Sequence, residues 1–266
     1  MTKLNALLFD VDGTLADTEA DGHRIAFNKA FAEADIDWNW NVELYGKLLA
    51  VTGGKERIKF YMEDFLSDFS PKNGEDIQQF VAALHKRKTF FYLEMLQQGE
   101  IPLRSGVKRL LNEARAEGLR LGIATTTTPE NVTYLLTATL GEESLEWFEV
   151  IAAGDIVPAK KPAADIYQYA MDKMGISADE TLAFEDSENG ILSSNGASLR
   201  TIITTNSYTM NHDFSDALIV LDQMGEDGQP FNVLAGDAGT HQQLTVAMLQ
   251  ELHARSLISG KKEALE

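Results

Sequence analysis

The chain has 266 residues, 44% hydrophobic and 24% charged, an ordinary globular composition with length enough for one large domain or two smaller ones. Its formal net charge of −18 argues against general nucleic-acid or anionic-membrane binding, because both need a basic face, and an anionic substrate would need a locally positive site. No cysteine is present, which excludes disulfides, thiolate catalysis and Cys-ligated zinc; the lack of a signal-like leader, or of a run approaching ~20 apolar residues, predicts a cytoplasmic protein without a membrane span.

Residues 4–9 are a short apolar run followed by Gly13 as a turn former, which predicts a buried strand. Asp10 and Asp12 follow it. Residues i and i+2 of an extended chain face the same side, so two carboxylates converge on one spot. Like charges that close raise one pKa unless a cation or phosphate-binding donors compensate. A tight turn with solvated aspartates is the plainer alternative.

Over 18–98 the pattern is helical, opening with His23, Ala26, Phe27, Ala30, Phe31 and Ala34 at helical spacing. Further helices are predicted over 42–50, 55–69 and 76–96, with a turn at Ser70-Pro71-Lys72-Asn73-Gly74. An all-helical block after a single strand predicts an inserted domain over 18–98, flanked by core segments 1–17 and 99–235 and a C-terminal helix and tail over 236–266.

Beyond residue 99, strand and helix signals alternate. Val107, Leu110, Leu111 and Ala114 mark a helix ended by Gly118, and a strand over 119–124 runs into Thr125 to Thr128. A strand at 150–153 precedes Lys160-Lys161-Pro162, and a helix through Ile166, Tyr167, Ala170, Met171 and Met174 closes at Gly175. A strand at 181–184 runs into Glu185-Asp186; a polar helix and strands at 199–204 and 217–221 complete the series. That alternation predicts an α/β fold with a parallel sheet covered on both faces. Residues 225–239, rich in Gly, Asp and Pro, predict a loop, 242–255 a terminal helix, and 260–266 a frayed end.

Four strand ends thus carry polar residues, and in open parallel sheets that edge is where ligands bind. Each alone has a plain reading: threonine hydroxyls satisfied in a β-turn, a solvated lysine loop, a solvated acidic turn. Together and in this order, DVDGT at Asp10 to Thr14, the Thr125 hydroxyl, Lys161 followed by Pro162, and EDSENG at Glu185 to Gly190 resemble the four motifs of the haloacid dehalogenase-like phosphatases. The helical block resembles the four-helix cap of the subgroup containing β-phosphoglucomutase and phosphoglycolate phosphatase. Asp17-Thr18-Glu19, His23-Arg24, Gly53-Gly54-Lys55-Glu56-Arg57-Ile58, Leu84-His85-Lys86-Arg87-Lys88-Thr89, and Thr125-Thr126-Thr127 with Asn131 resemble the CbbY-like xylulose-1,5-bisphosphate phosphatases.

The resemblance implies a Rossmann-like parallel core with an inserted helical cap, and Mg²⁺-dependent hydrolysis of a phosphorylated sugar, xylulose-1,5-bisphosphate foremost, through an aspartyl phosphate. It makes Asp10 the nucleophile and Asp12 the general acid and base. It assigns Mg²⁺ to Asp10, the Asp12 carbonyl and Asp186, with Glu185 binding it directly or through a neighbour. The Thr125 hydroxyl, the Thr126 N–H and Lys161 would cradle the transferring phosphoryl group. For a distal phosphate it nominates Gly53, Gly54, Lys55 and Lys88, with His85 and Arg57 nearby; Glu19 would meet sugar hydroxyls, Asn131 the substrate, and His23 either the acid/base region or helix packing. The glycine pair also fits a plain turn before a helix, and His85 to Lys88 a solvated face. Two other functions share the motifs: a phosphomutase of the β-phosphoglucomutase type, and a non-catalytic phosphosugar-binding regulator. Ser105 and Ser198 stand where the family usually has proline and glycine. No protein partner is implied.

Overall fold

Short apolar runs become the strands of one seven-stranded sheet: β1 Ala6–Phe9, β2 Arg120–Ala124, β3 Phe148–Ala152, β4 Thr181–Glu185, β5 Arg200–Thr204, β6 Ile219–Leu221 and β7 Val233–Ala235. The α-helices in chain order are α1 Arg24–Glu33, α2 Val42–Leu48, α3 Gly54–Phe65, α4 Ile77–Gln97, α5 Val107–Ala116, α6 Pro129–Leu140, α7 Asp165–Met174, α8 Glu188–Gly196 and α9 Val246–Glu263. This computed structural model describes residues 2–51, 53–66, 69–71 and 76–263. The expected turn at 72–74, the expected helical positions 67–68 and the last tail residues 264–266 lie outside the described residues. By internal contacts the chain forms two units, Met1–Asp17 with Pro102–Glu266, and Thr18–Ile101.

In the first unit the strand order is β3-β2-β1-β4-β5-β6-β7, parallel except where β7 runs antiparallel to β6. The chain moves outward from β1 through β2 to β3, then returns on the other side of β1 with β4. Such a reversal opens a crevice at the carboxyl ends of the central strands. Register fixes what lines it. Phe9 pairs with Ile123 on one side and Phe184 on the other, and the Phe9 and Phe184 rings stack at 4.4 Å. Both are fully buried, a class of burial worth ~1.5–3 kcal/mol per side chain. The next residues, Asp10 and Glu185, therefore emerge side by side.

On one face the small side chains of Ala6, Ala124, Ala152 and Ala183, with Leu8, let α7 pack closely through Ile166, Tyr167, Ala170 and Met171. The helix signature read from the sequence is that same buried stripe.

Several details differ from expectation. β1 starts at Ala6 rather than residue 4, although Leu4 is buried as well. The α6 helix was not anticipated, yet it carries a start signal: Thr128 caps it by accepting from the Asn131 N–H, Pro129 occupies its first turn, and Val132, Leu135, Leu136 and Leu140 are buried at helical spacing. The expected loop at 225–239 contains β7, whose three residues are all exposed. Pairing with β6 holds those three residues, and so short an apolar run inside a Gly-, Asp- and Pro-rich segment is too weak a strand signal to read. At the end of the chain α9 continues to Glu263, past Gly260 where fraying was expected, and packs against α5.

The second unit opens with a single wide π-helical turn at Thr18–His23 that runs directly into α1, followed by α2, α3 and α4. Its core is aromatic: Trp40 is fully buried, with Phe27 at 4.7 Å, Phe31 at 4.9 Å and Tyr61 at 5.3 Å between ring centroids. The Asn28 side chain holds the Trp40 backbone as a strand partner would, donating to the Trp40 carbonyl at 3.0 Å and accepting from its N–H at 2.8 Å. Among the described residues no helix is long and apolar enough to cross a membrane.

Candidate active site

Lys161, from the segment between β3 and α7, turns its ammonium onto the carboxyl edge of the sheet. Nζ donates to Asp10 Oδ1 and to Glu185 Oε1, both at 2.6 Å, and the side chain is only 7% exposed. Asp186 is buried beside them, and the carboxylates of Asp10, Glu185 and Asp186 all lie within 4.8 Å of one another. Lys161 answers part of this negative charge. Burial alone would lower its pKa, but Asp10 and Glu185 more than reverse that and push it up. The remaining acids are strained electrostatically. Burial, then the charge of Asp10, raises Glu185 against the opposing pull of Lys161 and Tyr167. Burial, then Asp10 and Glu185, raises Asp186 well above the usual carboxylate range.

Three crowded, buried carboxylates in an all-oxygen site fit a hard divalent cation, which would lower those pKa values. A second observation agrees: Glu185 Oε2 is buried and has no hydrogen-bond partner among the described residues. The chain makes room for these acids with glycine. A Cβ on Gly13, whose φ is +86°, would fall 2.1 Å from Asp186 Oδ2, and one on Gly190 would fall 1.9 Å from Glu185 Oε2. Asp12 lies in the turn after β1, its backbone bridged to Ala16, and its carboxylate is not part of the three-acid cluster.

Thr125 follows β2 and is buried; its N–H donates to the Ala152 carbonyl at 2.9 Å, and its hydroxyl accepts from the Thr127 N–H at 3.4 Å. Thr126 is exposed. Asn131, expected to meet substrate, donates to the Thr127 hydroxyl at 3.0 Å and so braces the Thr125 loop.

Three further residues had no sequence signal that set them apart. Tyr167 donates to Glu185 Oε1 at 2.5 Å, and its ring lies 5.1 Å from Lys161 Nζ. Asn206, after β5, donates to Asp186 Oδ2 at 2.7 Å. Arg104 donates to the Gly13 carbonyl within the first motif.

The nominated residues of the helical unit form a cluster of their own. Tyr45 donates to Glu19 Oε2 at 2.6 Å, Arg57 Nη1 lies 2.6 Å from the Tyr45 hydroxyl, and Arg57 stands 3.7 Å from Glu19. Lys88 Nζ is 2.8 Å from His23 Nδ1, with the ammonium over the rings of Phe27 and Tyr92. An ammonium only donates, so His23 accepts at Nδ1 and is neutral. Burial holds its pKa well below the ordinary value, and the charges of Lys88, Arg57 and His85 lower it further. The His85 ring packs against Gly54 at the start of α3. Burial, then Lys88 and Lys55, lowers His85, while Glu56 opposes. Lys55 is exposed, and Gly53 precedes the helix with φ +98°. Glu19, His23, Arg57, His85 and Lys88 are thus gathered within one unit, and Asp10, Lys161, Glu185 and Asp186 within the other.

Residues 4–197 match the family model described as haloacid dehalogenase-like hydrolase. The chain is 40% identical over 257 residues to the plasmid-encoded protein CbbY of Cupriavidus necator, covering 97% of this chain and 100% of that protein. It is 47% identical to protein CbbY of Rhodobacter capsulatus, covering 81% of this chain and 91% of the relative. Among solved structures it is similar to a mutant CbbY from Rhodobacter sphaeroides in complex with xylulose-(1,5)bisphosphate, at 42% identity and TM-score 0.68, covering 83% of this chain and 94% of that one.

Proposed function

The chain belongs to the haloacid dehalogenase-like hydrolases, and on that premise we propose that it is a Mg²⁺-dependent phosphatase of a phosphorylated sugar, with xylulose-1,5-bisphosphate or a close analogue as substrate. The observation that carries the reading is the Asp10–Lys161 pair set beside a three-carboxylate cluster at the carboxyl edge of the sheet. An arrangement built only to bind phosphate would have no use for a buried carboxylate aimed where the anion must come. A nucleophile does.

In the first half-reaction a carboxylate oxygen of Asp10 attacks phosphorus and the bond from phosphorus to the sugar oxygen breaks. Asp12 gives its proton to the departing oxygen. In the second, Asp12 takes a proton from the water that attacks the aspartyl phosphate; inorganic phosphate leaves and Asp10 is restored. Lys161 and the Thr125 hydroxyl stabilise charge on the equatorial oxygens, and Tyr167 keeps Glu185 in place. A cation held by Asp10, Glu185 and Asp186, with the Asp12 carbonyl, would supply further charge neutralisation.

The preference for a bisphosphate rests on the helical unit. Lys88, Arg57 and Lys55 would supply the positive charge that a distal phosphate needs, and the Gly53-Gly54 start of α3, with the His85 ring against it, the neutral donors. The test is direct: wild-type protein with Mg²⁺ and xylulose-1,5-bisphosphate should release inorganic phosphate, and Asp10→Asn should abolish the release. Activity surviving Asp10→Asn would remove Asp10 from the mechanism. An isomeric product without phosphate release would make the enzyme a mutase.

A further inference from the structure

Arg104 sits where the chain re-enters the core unit, its N–H bonded to the Leu15 carbonyl at 2.9 Å and Leu103 bridged to Ala16. Its guanidinium is spent on main-chain carbonyls. Nη1 donates to the carbonyl of Gly13 and to that of Thr204, the latter at 2.9 Å, and also reaches the Thr204 hydroxyl at 3.1 Å. Nη2 donates to the carbonyls of Thr205 and Asp222, the latter at 3.0 Å. One planar group thereby ties the turn after β1 to the ends of β5 and β6.

Those attachments bear on the reacting groups. Gly13 follows Asp12 directly, and the turn that carries both is backed by Asp186 Oδ2 and by the Asn206 amide, which a Cβ at Gly13 would meet at 2.1 and 2.9 Å. Thr205 precedes Asn206, and Asn206 donates to Asp186 Oδ2 at 2.7 Å. Arg104 thus holds both loops that flank Asp186, one through Gly13 and the other through Thr205. Burial works against its charge, and the carboxylates of Asp17, Asp186 and Asp222 work for it. The fork shape matters here, since two Nη groups reach carbonyls from three strand ends, which the single point of a lysine ammonium cannot span.

We propose that Arg104 is a positioning residue for the reaction, fixing the Asp10 to Gly13 turn against the β5 loop so that the Asp12 carboxylate stays aimed at the leaving oxygen and the attacking water. This rests on the aspartyl-phosphatase reading. A displacement of about 1 Å in a reacting group costs on the order of 10²-fold in rate, with little effect on groups that only bind.

The experiment uses the full chain with Mg²⁺ and xylulose-1,5-bisphosphate, comparing wild type, Arg104→Gly and Arg104→Lys, each checked for folding by near-ultraviolet circular dichroism. Both variants should lose on the order of 100-fold in kcat while KM stays within about threefold. Millimolar guanidinium chloride, far below denaturing levels, should restore much of the Arg104→Gly activity and leave Arg104→Lys unchanged; should the glycine variant not fold, the lysine variant carries the kcat-against-KM comparison. Variants with wild-type kcat, or a loss that tracks the unfolded fraction and ignores guanidinium, would overturn the positioning role. A wild-type chain that releases no phosphate would overturn the phosphatase reading and this inference with it, whereas active wild type with undiminished variants overturns this inference alone.

Discussion

Replacing Lys88 with methionine separates a bisphosphate enzyme from a general phosphatase. Lys88 is 8% exposed, its ammonium 2.8 Å from His23 Nδ1 and about equally distant, 5.1 and 5.0 Å, from the ring centroids of Phe27 and Tyr92. Methionine keeps an unbranched apolar stem between those rings, so packing should change by less than about 1.5 kcal/mol. It also removes the Lys88 charge, which after burial is the next cause holding the His23 pKa down. What is lost is a cationic donor to phosphate. A hydrogen bond to a charged group is worth about 1.5–3 kcal/mol, and at 1.36 kcal/mol per factor of ten this is roughly 10- to 150-fold. Measured by phosphate release, kcat/KM for xylulose-1,5-bisphosphate should fall by that factor. For a small aryl monophosphate, which engages only the core residues, it should stay within about twofold. An equal loss on both substrates would mean that Lys88 acts through folding, and no loss on the bisphosphate would remove it from recognition.

Two further outcomes are expected. Stripping divalent cations with a chelator should abolish turnover, and Mg²⁺ should restore it; at a hundredfold excess over Kd, binding to the folded state adds about 2.7 kcal/mol, roughly 5–10 °C in Tm, and a melting curve indifferent to Mg²⁺ would argue against the three-carboxylate site. His23 is held well below its ordinary pKa in the folded chain, so near pH 6 the unfolded state binds more protons and stability falls as pH drops below about 6.5, by at most about 1.4 kcal/mol per pH unit from this one group. Urea unfolding of wild type between pH 7.5 and 5.5, followed by tryptophan fluorescence, should lose more stability than His23→Gln does; parallel curves would show that His23 is not the group responsible.

What could be read from the sequence was whatever a strand end exposes. Asp10, Thr125 and Glu185 directly follow buried apolar residues, Asp186 comes one position later, and a parallel-strand pattern plus a polar terminus is enough to put them on one edge. The residues that escaped are ones whose local pattern has another good reason to exist. Tyr167 falls on the core stripe of α7 and is fully buried there, so nothing in its spacing shows that the hydroxyl reaches Glu185. Asn206 and Arg104 sit in connecting segments, where polar residues are the rule, and their partners are 20 and 91 or more positions away in sequence. Nor does the spacing of Asn131 show that its amide donates to the Thr127 hydroxyl and steadies the Thr125 loop. In the helical unit, the tautomer of His23 depends on Lys88, 65 positions distant, and no periodicity encodes it.

The glycines of the first and fourth motifs gain a different meaning from the packing. In sequence, Gly13 and Gly190 look like local turn and helix residues, each serving its own loop. Gly13 in fact leaves space for the carboxylate of Asp186, and Gly190 leaves space for that of Glu185. The first motif therefore cannot tolerate a side chain at position 13 because of an acid in the fourth, quite apart from the +86° φ that would strain any L-residue there. Burial first, and close approach after it, makes these acids electrostatically costly. A Cβ at either position would displace the carboxylate it meets from the buried place where burial, then the neighbouring acids, raise its pKa and favour a cation. The same two glycines that mark the motifs in sequence leave the space that the carboxylates of Asp186 and Glu185 occupy in the three-acid cluster.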